Sequence, residues 1–108
     1  MTNKYEIMKK AGAILREAFS LIFYDLRAGS DLEKIDQDVG KFLLGKRALS
    51  ALKLVGFPYN MSASLDYEVV QGYPNRILTD SHLVSIDMSI FYSGFYVDKA
   101  MTLATPVS

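Results

Sequence analysis

Between Leu83 and Leu103 apolar and polar residues largely alternate, and the run is bisected by Ser93-Gly94. Period-two alternation is the mark of half-buried strands, because successive side chains point to opposite faces of the pleat. A two-residue Ser-Gly break suits a tight hairpin turn, which sets the pairing register. Tyr92 is expected opposite Phe95, Phe91 opposite Tyr96, Ser89 opposite Asp98, and Asp87 opposite Ala100. Val84, Ile86, Met88 and Ile90 then share one face. Ser85, Asp87 and Ser89 share the other, together with Asp98, Ala100 and Thr102. This makes Asp87 and Asp98 diagonal cross-strand neighbours, roughly 7–8 Å apart at the backbone.

Aspartate is disfavoured in strands, and two like charges converging on one face repel. A divalent cation offsets that repulsion, since carboxylates on adjacent strands can direct up to four oxygens at one point. The plainer reading has both aspartates solvated on the outer face of an antiparallel sheet, or one of them paired with Lys99 or Arg76. Strand parity fits both readings, because polar-out alternation is ordinary in antiparallel sheets.

Upstream the period changes. From Asn3 to about Arg27, Ile7, Met8, Ala11, Ile14, Leu15, Ala18, Phe19, Ile22 and Leu26 recur at three- and four-residue steps, which predicts an amphipathic helix. Asn3 with Glu6 caps its start and Gly29 supplies a left-handed end. A second helix is expected to begin at a Ser30/Glu33 capping box, to bury Leu32, Ile35, Val39, Phe42 and Leu43, and to stop near Gly45. Beyond Gly56-Phe57-Pro58 short strand-forming segments follow: Met61 to Leu65 before a bend at Asp66-Tyr67, and Val69-Val70 before a Gly72-Tyr73-Pro74 turn. Two helices followed by an antiparallel sheet give an α+β class, and residues 1–108 contain no linker or repeat that would divide them.

Composition narrows the function. Twelve basic residues balance twelve acidic ones and cluster only as Lys9-Lys10 and Lys46-Arg47, so neither nucleic acid nor an anionic membrane is an expected partner. Without cysteine, any metal must be held by oxygen or by the lone His82. Charges interrupt every apolar run well short of the ~20 residues a membrane span needs, so the cytoplasm is the expected location. An Asn60-Met61-Ser62 sequon is present, but nothing else in the chain suggests secretion.

Gly56-Phe57-Pro58, the run from Ser64 to Pro74, Ser85-Ile86-Asp87 and Gly94-Phe95-Tyr96-Val97-Asp98, in that order and spacing, resemble methionine aminopeptidases. Met8-Lys9-Lys10-Ala11-Gly12 and the run from Gly29 to Asp36 extend the resemblance over nearly the whole chain. It implies the amino-terminal half of a pita-bread fold, in which two related αβ halves enclose a dinuclear site that removes the initiator methionine. On that basis Asp87 would chelate one metal and Asp98 would bridge both, the metals being of the manganese, cobalt, iron or zinc type. Phe57 and Tyr59 would begin the substrate-pocket wall, and the partner would be the N-terminal peptide of a nascent protein.

The sequence departs from the family at three places. Gln71 stands where the family has a histidine, and an amide cannot shuttle protons near neutral pH. Ser81-His82 replaces a Gly-Asp, and His82 reads as a loop residue, not a ligand. The family's remaining histidine and two glutamate ligands lie in a second half that begins where Ser108 stands. The expectation is a methionine-aminopeptidase-like chain that is incomplete or inactive alone and binds metal weakly. A complementary second half or a homodimer could complete it. The alternative is a non-catalytic peptide- or protein-binding module.

Overall fold

The computed structural model describes residues 3–26, 29–65, 72–74 and 83–104. Helix α1 spans Lys4–Asp25, and Asn3 caps it by accepting from the Glu6 amide at 2.9 Å. Its stripe Ala11, Ile14, Leu15, Ala18, Phe19 and Ile22 is buried, as the three- and four-residue spacing requires. The helix ends earlier than the periodicity suggests. Leu26 is already extended and still buried, so Gly29, at φ 90°, shapes the connection and is not the helix terminator.

Helix α2 spans Leu32–Gly45 and buries Leu32, Ile35, Val39 and Leu43, with Phe42 half-buried against the same core. Its cap is Asp31, whose side chain accepts from the Glu33 amide at 3.0 Å. The Ser30 capping box does not form, because the Ser30 hydroxyl donates to the Asp25 carbonyl at 2.8 Å and ties the two helices together. At the far end Ala48 N–H donates to Leu43 O at 2.9 Å and Arg47 N–H to Leu44 O at 3.0 Å, with Arg47 at φ 60°. These are the paired bonds of a Schellman stop, achieved with an arginine in the left-handed position two residues after Gly45.

Two short elements were not expected. Strand β1 covers Leu49–Ser50 and runs directly into a single turn, α3, at Ala51–Leu54. The Ser50 hydroxyl both accepts from the Lys53 amide at 3.3 Å and donates to the Asn60 carbonyl at 3.0 Å. Strand β2 covers Ser62–Leu65, and strands β3 (Leu83–Tyr92) and β4 (Phe95–Ala104) form the hairpin.

β3 is the central strand. One edge takes β4 along its whole length, and the other takes β2 through Leu65↔Val84 to Ser62↔Asp87 and β1 through Ser50↔Ile90 and Leu49↔Phe91, all antiparallel. Val84, Ile86, Met88 and Ile90 are fully buried and join the helix stripes in one core. Burying side chains of this kind stabilises by about 1.5–3 kcal/mol each, so the face assigned to the core determines which residues remain outside. Gly72 is buried beside β2: its carbonyl accepts from the Ala63 amide at 3.1 Å, and a Cβ there would collide with the Ala63 carbonyl. The bend at Asp66-Tyr67 and the Val69-Val70 segment lie outside the described residues.

Candidate metal centre

The hairpin turn places the two aspartates. Ser93 and Gly94 stand at φ 48° and 91°, the positive pair of a type I′ turn, whose twist matches that of the flanking strands. Tyr92 pairs with Phe95, Ser89 with Asp98 and Asp87 with Ala100, the register that the two-residue turn predicts. Asp87 and Asp98 therefore occupy diagonal positions on the face opposite Val84, Ile86, Met88 and Ile90, and both are exposed.

That face is organised by small cross-strand contacts. The Ser89 hydroxyl donates to Asp98 Oδ1 at 3.2 Å, and the Ser85 and Thr102 hydroxyls lie 2.9 Å apart. Asp87, Ser89, Asp98 and Ala100 line a shallow depression of about 490 Å³, closed on one side by Leu52 of α3. Among the described residues Asp87 has no hydrogen-bond or ion-pair partner, and neither aspartate pairs with Lys99. Arg76, His82 and Gln71 lie outside the described residues.

One residue paired with Asp87 across the sheet carries no strong signal in the sequence. Ser62 opens β2 directly across from Asp87 and is fully buried, yet among the described residues its hydroxyl has no hydrogen-bond partner. A buried hydroxyl left unpaired costs about 1–3 kcal/mol. Strand parity within Ser62–Leu65 could have located it only if the pairing with β3 had been known.

The donor set fits a hard divalent cation in kind, with carboxylate oxygens fixed on neighbouring strands and a hydroxyl beside one of them. It fits only in part: among the described residues no group of three or more histidine, cysteine, aspartate or glutamate side chains comes together.

Phe57 and Tyr59 come together in one aromatic cluster. Their ring centroids are 6.3 Å apart, and Tyr73 completes a three-ring cluster at 5.2 Å from Phe57 and 5.7 Å from Tyr59. Tyr59 opens onto a separate cavity of about 490 Å³ between α2, α3 and segment 58–60, whose lining shares no residue with the Asp87–Asp98 depression. Desolvation, then the nearby Glu33 and Asp36 carboxylates and Tyr73, raises the pKa of the Tyr59 phenol.

Asp36 is the second residue that the sequence conceals. Only 2% exposed, it receives the Asn60 amide (3.0 and 3.2 Å), the Met61 amide (2.9 Å) and Asn60 Nδ2 (3.2 Å) on its carboxylate. Burial raises its pKa, and the bonds from Asn60 and Met61 together with the charge of Lys53 oppose the shift without cancelling it. Gly40 permits this close packing, since a Cβ there would stand 2.6 Å from Asn60 Nδ2.

Comparison with known proteins agrees with the fold and with the family resemblance. Residues 6–107 match metallopeptidase family M24. The chain is 33% identical over 102 residues to a methionine aminopeptidase of Clostridium perfringens and 31% identical over 103 residues to one of Helicobacter pylori. These alignments cover 93% and 94% of the chain but 41% of each relative, so it spans less than half their length. The structure superposes on methionine aminopeptidase from Thermotoga maritima with a TM-score of 0.86 and 25% identity, covering 99% of this chain and 45% of that one. For the Rickettsia prowazekii enzyme, at 20% identity, the TM-score is 0.82, with 100% and 46% covered. With helices that lead into an antiparallel sheet matching part of the pita-bread fold, the chain belongs to metallopeptidase family M24.

Proposed function

We propose that this chain carries one wall of a methionine-aminopeptidase metal centre and that metal-dependent removal of N-terminal methionine requires further ligands besides it. The observation that carries this reading is the diagonal placement of Asp87 and Asp98 on the outer face of the hairpin, with Ser62 unpaired beside Asp87. Asp87 and Asp98 would hold the cation, with Ser89 orienting the Asp98 carboxylate through its 3.2 Å bond. A divalent ion of the manganese, cobalt, iron or zinc type would act there as a Lewis acid on a peptide carbonyl and on the attacking water. Gln71, at the position of the family histidine, can bind a peptide group but cannot relay a proton.

With two carboxylates, binding by this chain alone is expected to be weak. Phe57 and Tyr59 would form an apolar wall for the N-terminal segment of a nascent chain, and the cytoplasm is the compartment this substrate implies. No helix among the described residues is long and apolar enough to cross a membrane. A complementary second half or a second copy of the chain would supply the missing donors.

Calorimetric titration with manganese tests the site directly. The parent chain should bind, and Asp87→Asn or Asp98→Asn should each weaken binding by about tenfold or more; equal affinity in parent and double variant would remove the metal reading. Release of methionine from a short peptide only when a complementary half is added would support the catalytic part. Gln71 favours a second reading, a peptide-binding module without catalysis. Peptide binding unchanged by chelator would favour that module over the enzyme.

A further inference from the structure

We propose that Asp36 is a positioning residue for the Asp87–Asp98 site, holding the start of β2 so that Ser62 stays paired with Asp87. This rests on the metal-site reading of the two aspartates and adds to it a residue from the opposite side of the core. β2 is only four residues long, and its pairing with Asp87 is the last rung of its ladder. Terminal rungs fray, because the residues beyond them have no ladder partner to hold the backbone.

Here the two residues that precede the ladder do have partners. The amides of Asn60 and Met61 both donate to the Asp36 carboxylate, at 2.9–3.2 Å. Asn60 is held on two further sides, by its Nδ2 donating to the Asp36 carbonyl at 3.1 Å and by its own carbonyl accepting from the Ser50 hydroxyl at 3.0 Å. A helix side chain thus takes the place of the missing strand partner, and the next residue along is Ser62.

The same segment carries Phe57 and Tyr59 on its upstream side, so release at Asp36 would free both the aromatic cluster and the rung beside Asp87. The clamp depends on close packing as well as charge. Gly40 leaves no room for a Cβ beneath Asn60, which makes Gly40→Ala a way to displace Asn60 while leaving the Asp36 carboxylate intact.

The test compares parent, Asp36→Asn, Asp36→Glu and Gly40→Ala by manganese titration, by the amide resonances of Ser62 and Asp87, and by thermal melting. Asp36→Asn and Gly40→Ala should keep parent-like helix content, shift both resonances, and weaken manganese binding about three- to tenfold, short of the loss from removing a partner bonded directly to a ligand. Asp36→Glu, which retains a carboxylate, should recover part of that affinity. Lower melting temperatures with unmoved resonances and parent-like manganese affinity would reduce Asp36 to a purely structural role and overturn the proposal. If the variants do not fold, hydrogen exchange in the parent decides: the Asn60 and Met61 amides should exchange as slowly as the β3 core, and fast exchange there overturns the clamp. If manganese binds the parent no better than the Asp87→Asn/Asp98→Asn double variant, the metal reading fails, while the resonances still report whether Asp36 holds Ser62 against Asp87.

Discussion

Two sets of polar residues meet at the Ser62–Asp87 rung and follow opposite rules. On the hairpin, Asp87, Ser89 and Asp98 face outward, and alternation along β3 keeps them outside. At the junction of α2 with β2, Asp36, Asn60 and Ser62 are buried, and two of the three are held by a mutual network. Polarity alone therefore does not mark a functional residue in this chain. The outward set is exposed to solvent, whereas Asp36 and Asn60 are buried and satisfy each other's polar groups within the protein.

The largest effect expected from this contrast lies on β3 itself. Ile86→Ala empties a fully buried position and should cost about 3–4 kcal/mol in urea unfolding. Its neighbour Asp87, one residue along and on the other face, should tolerate replacement. Next in size is Asp36→Ala, which strands the Asn60 and Met61 amides and should cost about 2–3 kcal/mol. A value near zero would mean that water reaches the junction and that the contrast is overstated.

The same carboxyl fixes a pH dependence. With its folded pKa raised above the usual 3.8, the native state holds its proton to higher pH than the unfolded chain does. Its contribution is complete below the unfolded pKa and is lost as pH rises through the folded one. Stability of the parent relative to Asp36→Asn should therefore fall with rising pH from about 4 upward. A difference that grows with pH would reverse the sign and show that the bonds from Asn60 and Met61 outweigh desolvation.

Gly94→Ala, forced to φ 91° in the turn, should cost about 1 kcal/mol and broaden the resonances of Tyr92 and Phe95. Smallest of all, Asp87→Asn should change metal-free stability by no more than about 0.5 kcal/mol. The parent should gain melting temperature on adding manganese and the variant should not. Equal gains would erase the distinction between the two polar sets.

Much of the hairpin was legible because its causes are local. A two-residue turn with Gly94 sets the register, and period-two alternation assigns the faces, so the sequence itself makes Asp87 and Asp98 diagonal neighbours. The helix stripes were legible for the same reason, through a period of three to four. Helix ends were read less well: Asp31 and not Ser30 caps α2, and Arg47 adopts the left-handed turn in place of a glycine. Both outcomes depend on which neighbouring carbonyl a hydroxyl or amide finds, as Ser30 does at Asp25.

From the sequence alone came the class, the face that carries the carboxylates and the family resemblance, because period, turn chemistry and motif order are properties of adjacent residues. Only the tertiary structure decided that Asp36 is buried, that Asn60 meets it across 24 positions, and that Ser62 ends up unpaired beside Asp87. It also decided that Tyr73 joins Phe57 and Tyr59 in one cluster, and that Tyr59 lines a cavity beside α2. Contacts of this kind form between segments whose separation along the chain carries no periodic signal. Their energy comes from excluding water at one junction, which no single segment can specify.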